Sequence, residues 1–341
     1  MNLSPDAATQ LLEDARRLNE GRAYPALAEL LEPWGVGDLE VEPELLFLRA
    51  DVARRLGDAE RAEADLDALD AVTRRYGNVP LRRRRLNLLG SLRFERGDVD
   101  GARDMWLRQL DDASEADDPE LAARACNNLG VVATLRDELP EALAYYGRAV
   151  SAYRRIGYAR GLGQAHHNMG ITYREMGFLN ESDAEFRAAD RFARRASSGD
   201  EEARVAQERA LLLFLLGDAT LARLVAGSAL VAYETLGDPV GIAEVHRVEG
   251  LVALGEGDHE AADQKLEYAL AGAREHGARL LEGEVLAARC ALRAVQGSDD
   301  DARADSSLAL EIFEGLGAPA WGRRALDRAQ AFAARGLGPP S

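Results

Sequence analysis

The sequence is short of the residues that cross-linking and membrane insertion require. Two cysteines, Cys126 and Cys290, occur in 341 residues, so no disulfide framework is expected and a reducing cytoplasm is the simple setting. Aromatics are only 6% of the chain, and no segment sustains the period-two alternation of β-branched residues that marks strands. No apolar run reaches 18 residues; Ala210 to Leu216 reads as a buried helix segment rather than a membrane span. The opening Met-Asn-Leu-Ser-Pro-Asp lacks a basic stretch followed by an apolar one, so no leader is expected. Positive charge is also scarce. With 42 basic and 59 acidic residues the net charge is −17, which disfavours direct binding of nucleic-acid backbone and of anionic membranes. No H-E-x-x-H, C-x-x-C or P-loop pattern is present, and no cofactor is expected.

What the chain does have is a period. A helix-breaking pair or its equivalent recurs every 40 residues, at Gly57-Asp58, Gly97-Asp98, Asp137-Glu138, Gly177-Phe178, Gly217-Asp218, Gly257-Asp258 and Gly297-Ser298. Five residues after each stands a small residue (Ala62, Ala102, Ala142, Ser182, Ala222, Ala262, Ala302), and seven before each another (Ala50, Gly90, Gly130, Gly170, Ala210, Gly250, Cys290). A second set, Gly77, Gly157, Gly237, Gly277 and Gly317, marks the far end of most units; Asp117 and Ser197 stand there in the other two. Each unit therefore reads as two helices with a turn between them, for example Ala123 to Arg136 and Pro140 to Ile156. Counting from residue 43, seven such units cover 43–322. Residues 1–42 read as an irregular leading pair, Pro5 to Asn19 and Ala23 to Leu31. A single closing helix from Trp321 to Arg335 and a frayed tail, Gly336 to Ser341, complete the chain. Stacked repeats of this kind bury one continuous core and usually work by presenting a surface.

The small residues at unit positions 8 and 20, with Gly at 15, resemble the tetratricopeptide repeat. The strongest stretch is Asn127 to Tyr145, NNLGVVATLRDELPEALAY, followed by Gly170, Tyr173, Gly177, Ser182, Phe186 and Ala189 in the next unit. The resemblance implies an all-α, right-handed solenoid of antiparallel helix pairs, about 17 helices in all. The unit departs from the common one of about 34 residues. It also lacks the proline near the end of helix B and the large aromatic at position 4. Longer units of this type are similar to those of kinesin light chain, of Gαi-binding adaptors and of sensor arrays in bacterial regulators. HEAT-like solenoids share the period but not the paired small positions.

In such arrays helix A lines the concave face, and positions 2, 5, 9 and 12 share one stripe. Position 2 reads Glu44, Arg84, Arg124, Gln164, Arg204, Glu244, Glu284; position 5 reads Phe47, Asn87, Asn127, His167, Gln207, Arg247, Ala287; Asn128 and Asn168 follow at position 6. The middle units thus carry a ladder of arginine and amide groups. Amides pair with both the N–H and C=O of an extended peptide, and arginine forks onto a carboxylate. The resemblance implies that Arg84, Asn87, Arg124, Asn127, Asn128, His167, Asn168, Arg204, Gln207 and Arg247 hold a peptide. The competing reading makes them solvated helix positions. Val131, Leu135, Ile171, Leu211, Phe214, Leu215, Leu251 and Leu254 form an apolar strip beside the ladder, either for ligand or for packing between neighbouring units. A partner segment with acidic and apolar residues would suit both features.

The remaining constellations do not add up to chemistry. His166 and His246 are two units apart, and His166 and His167 leave the helix in different directions, so no metal site is expected. Cys126 reads as a small buried residue rather than a nucleophile, and the Arg82 to Arg85 run as a solvated face with only Arg84 toward the groove. The expected function is a non-catalytic cytoplasmic scaffold or adaptor for a protein or peptide segment. The alternative is a ligand- or peptide-sensing module of a bacterial regulator, although no DNA-binding module follows residue 335. A repeat-type aspartyl-phosphate phosphatase is a third option, set aside because 42 leading residues are few for the helical bundle it would need.

Overall fold

A computed structural model of the protein describes residues 3–21 and 23–336. Among the described residues there are eighteen helices and no strand. The chain divides into two compact units, Met1–Ala125 and Cys126–Ser341. The first holds α1 (Pro5–Glu20), α2 (Tyr24–Leu31), α3 (Val36–Leu39), α4 (Pro43–Arg55), α5 (Ala59–Tyr76), α6 (Val79–Glu95), α7 (Val99–Glu115) and the start of α8 (Pro119–Leu135). The second continues with α9 (Leu139–Ile156), α10 (Ala159–Glu175), α11 (Leu179–Arg195), α12 (Gly199–Leu215) and α13 (Ala219–Leu236). It ends with α14 (Pro239–Glu256), α15 (His259–Glu275), α16 (Arg279–Val295), α17 (Asp299–Gly315) and α18 (Pro319–Gly336). Consecutive helices pack against each other in pairs, so this is the all-α repeat that the period predicts. Residues 337–341, most of the expected tail, lie outside the described residues.

The turns follow from backbone chemistry. Helix A of each of the seven units ends in a left-handed residue, with φ of +83° at Gly57 and +82° at Gly97 and Gly177, where the absence of a Cβ removes the steric cost. The same conformation persists where glycine is missing, at Asp117 (φ +51°), Asp137 (+67°) and Ser197 (+52°). The next residue often starts the following helix: Asp58, Asp98, Asp218 and Asp258 each accept the N–H three residues on, at 2.8–3.1 Å. Such caps satisfy a donor that the helix itself leaves unpaired.

The small positions do what a close helix crossing needs. Gly130 has no side chain because the Tyr146 ring occupies its place; a Cβ there would lie 2.4 Å from Cε1. Gly90 stands in the same relation to Trp106, Gly170 to Phe186 and Gly250 to Leu266. Each large residue comes from the paired helix B and is buried in the pair.

Three details differ from the sequence reading. From α6 on, helices A begin four residues before position 1 of their units, as at Pro119 rather than Ala123, and the closing helix begins two residues early, at Pro319 rather than Trp321, because the left-handed residue at Asp117 or Gly317 already closes the preceding helix. The leading segment contains a third short helix, α3, whose Leu39 is buried beside Leu27, Leu31 and Leu45. Arg85 is not on a solvated face: it is buried, and its Nε donates to the Leu66 carbonyl at 2.6 Å.

Candidate ligand-binding site

In the first unit the A helices α4, α6 and the first part of α8 line a pocket of about 540 Å³. Phe47 and Asp51 come from α4, Arg84 and Asn87 from α6, and Glu120 and Arg124 from α8. Three residues of the predicted ladder, Arg84, Asn87 and Arg124, therefore converge on one cavity. They do so because their 3/4 spacing puts them on one helix face and the 40-residue repeat sets those faces side by side.

The charges in this pocket are partly matched. The Arg84 guanidinium lies 4.4 Å from the Phe47 ring centre and donates to Glu44 at 3.2 Å. Arg124 Nη2 donates to Glu120 at 2.8 Å, a helix pair four residues apart. Arg54 and Arg55 both reach Asp51, at 2.9 Å each. Arg84 and Arg124 keep about 41% and 40% of their side-chain surface exposed, so their present ion pairs are of the weak, exchangeable kind. Leu88, Leu121 and Pro80 add apolar wall. Guanidinium groups beside an aromatic and an aliphatic surface suit a carboxylate carried next to an apolar group.

In the second unit the ladder splits. Asn127 and Asn168 face each other, the Asn168 amide donating to Asn127 Oδ1 at 3.2 Å, and Asn128 is half-buried near them in sequence. Arg204 is half-exposed and pairs with Glu201 at 3.2 Å. His167, Gln207 and Arg247, by contrast, are buried. Gln207 donates to Glu208 and Glu244 and accepts from the Tyr233 hydroxyl at 3.1 Å. Arg247 sits between Glu244 at 3.2 Å and Glu284 at 3.3 Å. His167 packs on Phe186, and burial holds its pKa down to about 3, so the ring is neutral.

These three bind neighbouring helices rather than solvent. Around them Arg174 reaches Glu208 and Glu175, closing a chain of charges across α10, α12, α14 and α16. Burial alone would raise the Glu208 pKa; Arg174 and Arg247 outweigh it and hold it at about 2. Glu244 is less fully compensated, and its burial raises its pKa.

The predicted apolar strip is largely internal. Leu211, Leu251 and Leu254 are buried, and Phe214 stacks on Phe332 of α18 at 5.3 Å between ring centres. The closing helix thus reaches well beyond the last pair. Sequence spacing missed this, although the run of arginines in α18 (Arg323, Arg324, Arg328, Arg335) was visible. Among the described residues no group of three or more potential ligands could hold a metal, and no helix is long and apolar enough to cross a membrane. Both cysteines are free and buried, and burial raises each thiol pKa.

Antiparallel helix pairs crossing on paired small residues define a helical repeat of the tetratricopeptide type. No protein-family profile and no curated protein matches the chain. Solved structures do. A Rap protein complexed with competence and sporulation factor superposes with a TM-score of 0.65 at 12% identity, over 97% of this chain and 99% of that one. The Rap conjugation gene regulator of plasmid pLS20, in complex with the Phr* peptide, gives 0.60 at 15% identity over 92% and 96%. Aspartyl phosphate phosphatase F from Bacillus subtilis gives 0.54 at 12% identity over 99% and 94%. At these identities the likeness is one of fold.

Proposed function

We propose that this protein is a non-catalytic, cytoplasmic peptide-binding regulator or scaffold, and that the first-unit pocket is where a peptide with acidic and apolar residues is held. The carrying observation is the convergence of Arg84, Asn87 and Arg124 with Phe47 on one cavity. Two of the structures of like fold are complexes, one with competence and sporulation factor and one with the Phr* peptide, which supports a similar use of this array. In the second unit Asn127, Asn128, Asn168 and Arg204 present amide and guanidinium groups at the matching columns, and we assign them to peptide backbone and side-chain contacts. The burial of His167, Gln207 and Arg247 gives them a supporting role behind that surface.

The test is a library of short peptides graded in acidic and apolar content, read by fluorescence anisotropy. A charge-assisted hydrogen bond is worth about 1.5–3 kcal/mol, so Arg124→Glu or Arg84→Ala is expected to weaken the best binder about ten-fold or more, with unchanged helix content. Equal affinity in both variants would remove the pocket from consideration. A peptide that also raises the melting temperature and alters hydrogen exchange far from the pocket would favour a sensor over a passive adaptor.

One observation keeps an enzymatic reading in view. The likeness to phosphatase F extends over 99% of this chain, so the short leading segment does not by itself separate the two. Loss of phosphate from an aspartyl-phosphorylated protein on adding the purified chain would replace the non-catalytic reading.

A further inference from the structure

The C-terminal helix α18 has two sets of neighbours. One is what a terminal cap requires: Trp321, Ala325 and Ala329 are buried in a helix that packs on α16 and α17. The other lies much earlier in the chain. Arg324 donates to Asp137 Oδ1 at 2.5 Å and to the Glu175 carbonyl at 2.8 Å. Arg328 donates to Glu175 Oε1 at 2.6 Å; on the cap side the Trp321 indole donates to Glu284 of α16 at 2.9 Å. Arg335 reaches the carbonyls of Phe214 and Leu215 at 3.3–3.4 Å, while Phe332 stacks on Phe214.

These contacts share a chemistry. Glu175 is the last residue of α10, and Phe214 and Leu215 are the last two of α12. Their carbonyls lie at the partially negative ends of helices, which favour a cation, although that of Phe214 also accepts the Gly217 N–H at 2.9 Å. Carboxylates at Asp137, Glu175 and Glu284 add to the effect. The surface selects a basic helix, and α18 is one: four arginines against a single aspartate, on a chain of net charge −17.

The fit is loose. A pocket of about 570 Å³ remains between α18 and the ends of the A helices, bordered by Arg174, Glu175, Leu215, Arg323 and Asp327. Only two of the helix's anchors, Trp321 and Phe332, are large; the other buried apolar residues are alanines. The Arg324–Asp137 pair is partly exposed, at 29% and 42% of side-chain surface, and so contributes little. A helix held by few large apolar side chains opens locally at less than the global unfolding free energy.

We propose that the second unit carries a docking site for a basic, aromatic-bearing amphipathic helix of a partner protein, and that α18 occupies it in the free protein as an internal stand-in. The partner helix displaces α18 from the A-helix ends, placing an aromatic on Phe214 and arginines on Asp137, Glu175 and the α12 carbonyls. The site is separate from the first-unit pocket, takes a ligand of opposite charge, and stands or falls independently of the peptide reading above.

The test uses the full-length chain and a fluorescently labelled peptide of residues 319–336 as the probe helix. Arg324→Glu with Arg328→Glu loosens the internal helix while leaving the receiving surface intact. The double variant is expected to bind the probe at least ten-fold more tightly than wild type, and a probe with its arginines replaced by glutamate is expected not to bind. No gain, or equal binding of the glutamate probe, overturns the proposal. Hydrogen exchange on the unmodified protein gives a check that needs no variant. Amides of α18 are expected to exchange at least ten-fold faster than those of α16; protection equal to that of α16 makes α18 a fixed cap and overturns the proposal. Light scattering that shows α18-dependent dimers would put a second copy in the site, and would likewise overturn the partner assigned here.

Discussion

The crossing of Gly130 over Tyr146 is where a single methyl group tests the packing logic most directly. A Cβ at residue 130 would stand 2.4 Å from Tyr146 Cε1 and 2.7 Å from Cδ1 and Cζ. Ordinary contact requires the ring to retreat by about 1 Å in a core packed at near-crystalline density. Tyr146 has little room, being 1% exposed, and its hydroxyl lies 3.2 Å from Thr134 Oγ1, which in turn lies 3.2 Å from Thr172 Oγ1. Overpacking of this kind costs about 1–3 kcal/mol, and a strained or lost buried hydrogen bond adds about 1. Alanine returns about 1 kcal/mol of helix propensity. Gly130→Ala is therefore expected to destabilise by about 1–3 kcal/mol, a fall in Tm of about 3–9 °C for a unit of this size. Gly147, in the same pair but exposed and with nothing within 4 Å, provides the control: Gly147→Ala is expected to stabilise by about 1 kcal/mol. Circular dichroism melts and urea midpoints at one pH measure both. A Gly130→Ala protein melting at or above wild type would refute the crossing, whatever Gly147→Ala does.

Other expectations follow from the turns and the buried histidine. Ser197, left-handed at φ +52°, carries a cost that glycine avoids, so Ser197→Gly is expected to raise stability by about 1 kcal/mol in urea melts. Asp258 caps α15 by accepting the Ala261 N–H at 3.1 Å, and Asp258→Ala is expected to lower stability by about 1 kcal/mol while Asp258→Asn nearly preserves it. His167 has its pKa held near 3 in the folded state against an ordinary 6.5, so its contribution is complete above pH 6.5 and is lost as pH falls toward 3. The slope is about 1.4 kcal/mol per pH unit. His167→Phe is expected to lose about 2–3 kcal/mol less than wild type between pH 7.5 and 4.5, measured by urea midpoints; parallel curves would mean that His167 takes up a proton within the fold.

The repeat, its turns and its small positions were legible because each is a local requirement. A left-handed residue closes each helix of the 40-residue units, and even Asp137 and Ser197 obey, whereas Gly21 in the irregular leading pair stays right-handed. A small residue must stand wherever a large one crosses, as Gly90 does under Trp106. The reach of α18 was not legible, since Arg324 meets Asp137 across 187 residues and nothing in a 40-residue period encodes that contact. A signal that columns did hold went unread. Unit positions 7 and 23 carry opposite charges at Arg49 and Asp65, at Glu249 and Lys265, and at Arg289 and Asp305, and in each case the two meet at 2.6–3.4 Å between helices A and B.

The same lesson explains why the ladder divided. An arginine on the A-helix stripe has two competing partners, a ligand in front of it and a carboxylate on the adjoining helix A. A single column shows only the arginine. Arg247 lost its freedom because Glu244 lies one turn before it, Glu284 one unit on and Glu208 one unit back. Burial deep in that cluster makes the pairing strongly context-bound, and removing either partner would strand a charge. Arg124 pairs with the exposed Glu120 of its own helix, in the higher-dielectric setting where such pairs exchange readily. Arg84 is intermediate, sharing Glu44 while its guanidinium stays stacked on Phe47. A ligand carboxylate therefore competes on favourable terms at Arg84 and Arg124 and on very poor terms at Arg247. If Arg247→Ala weakened peptide binding as much as Arg124→Ala without lowering the melting temperature, this ordering would be wrong.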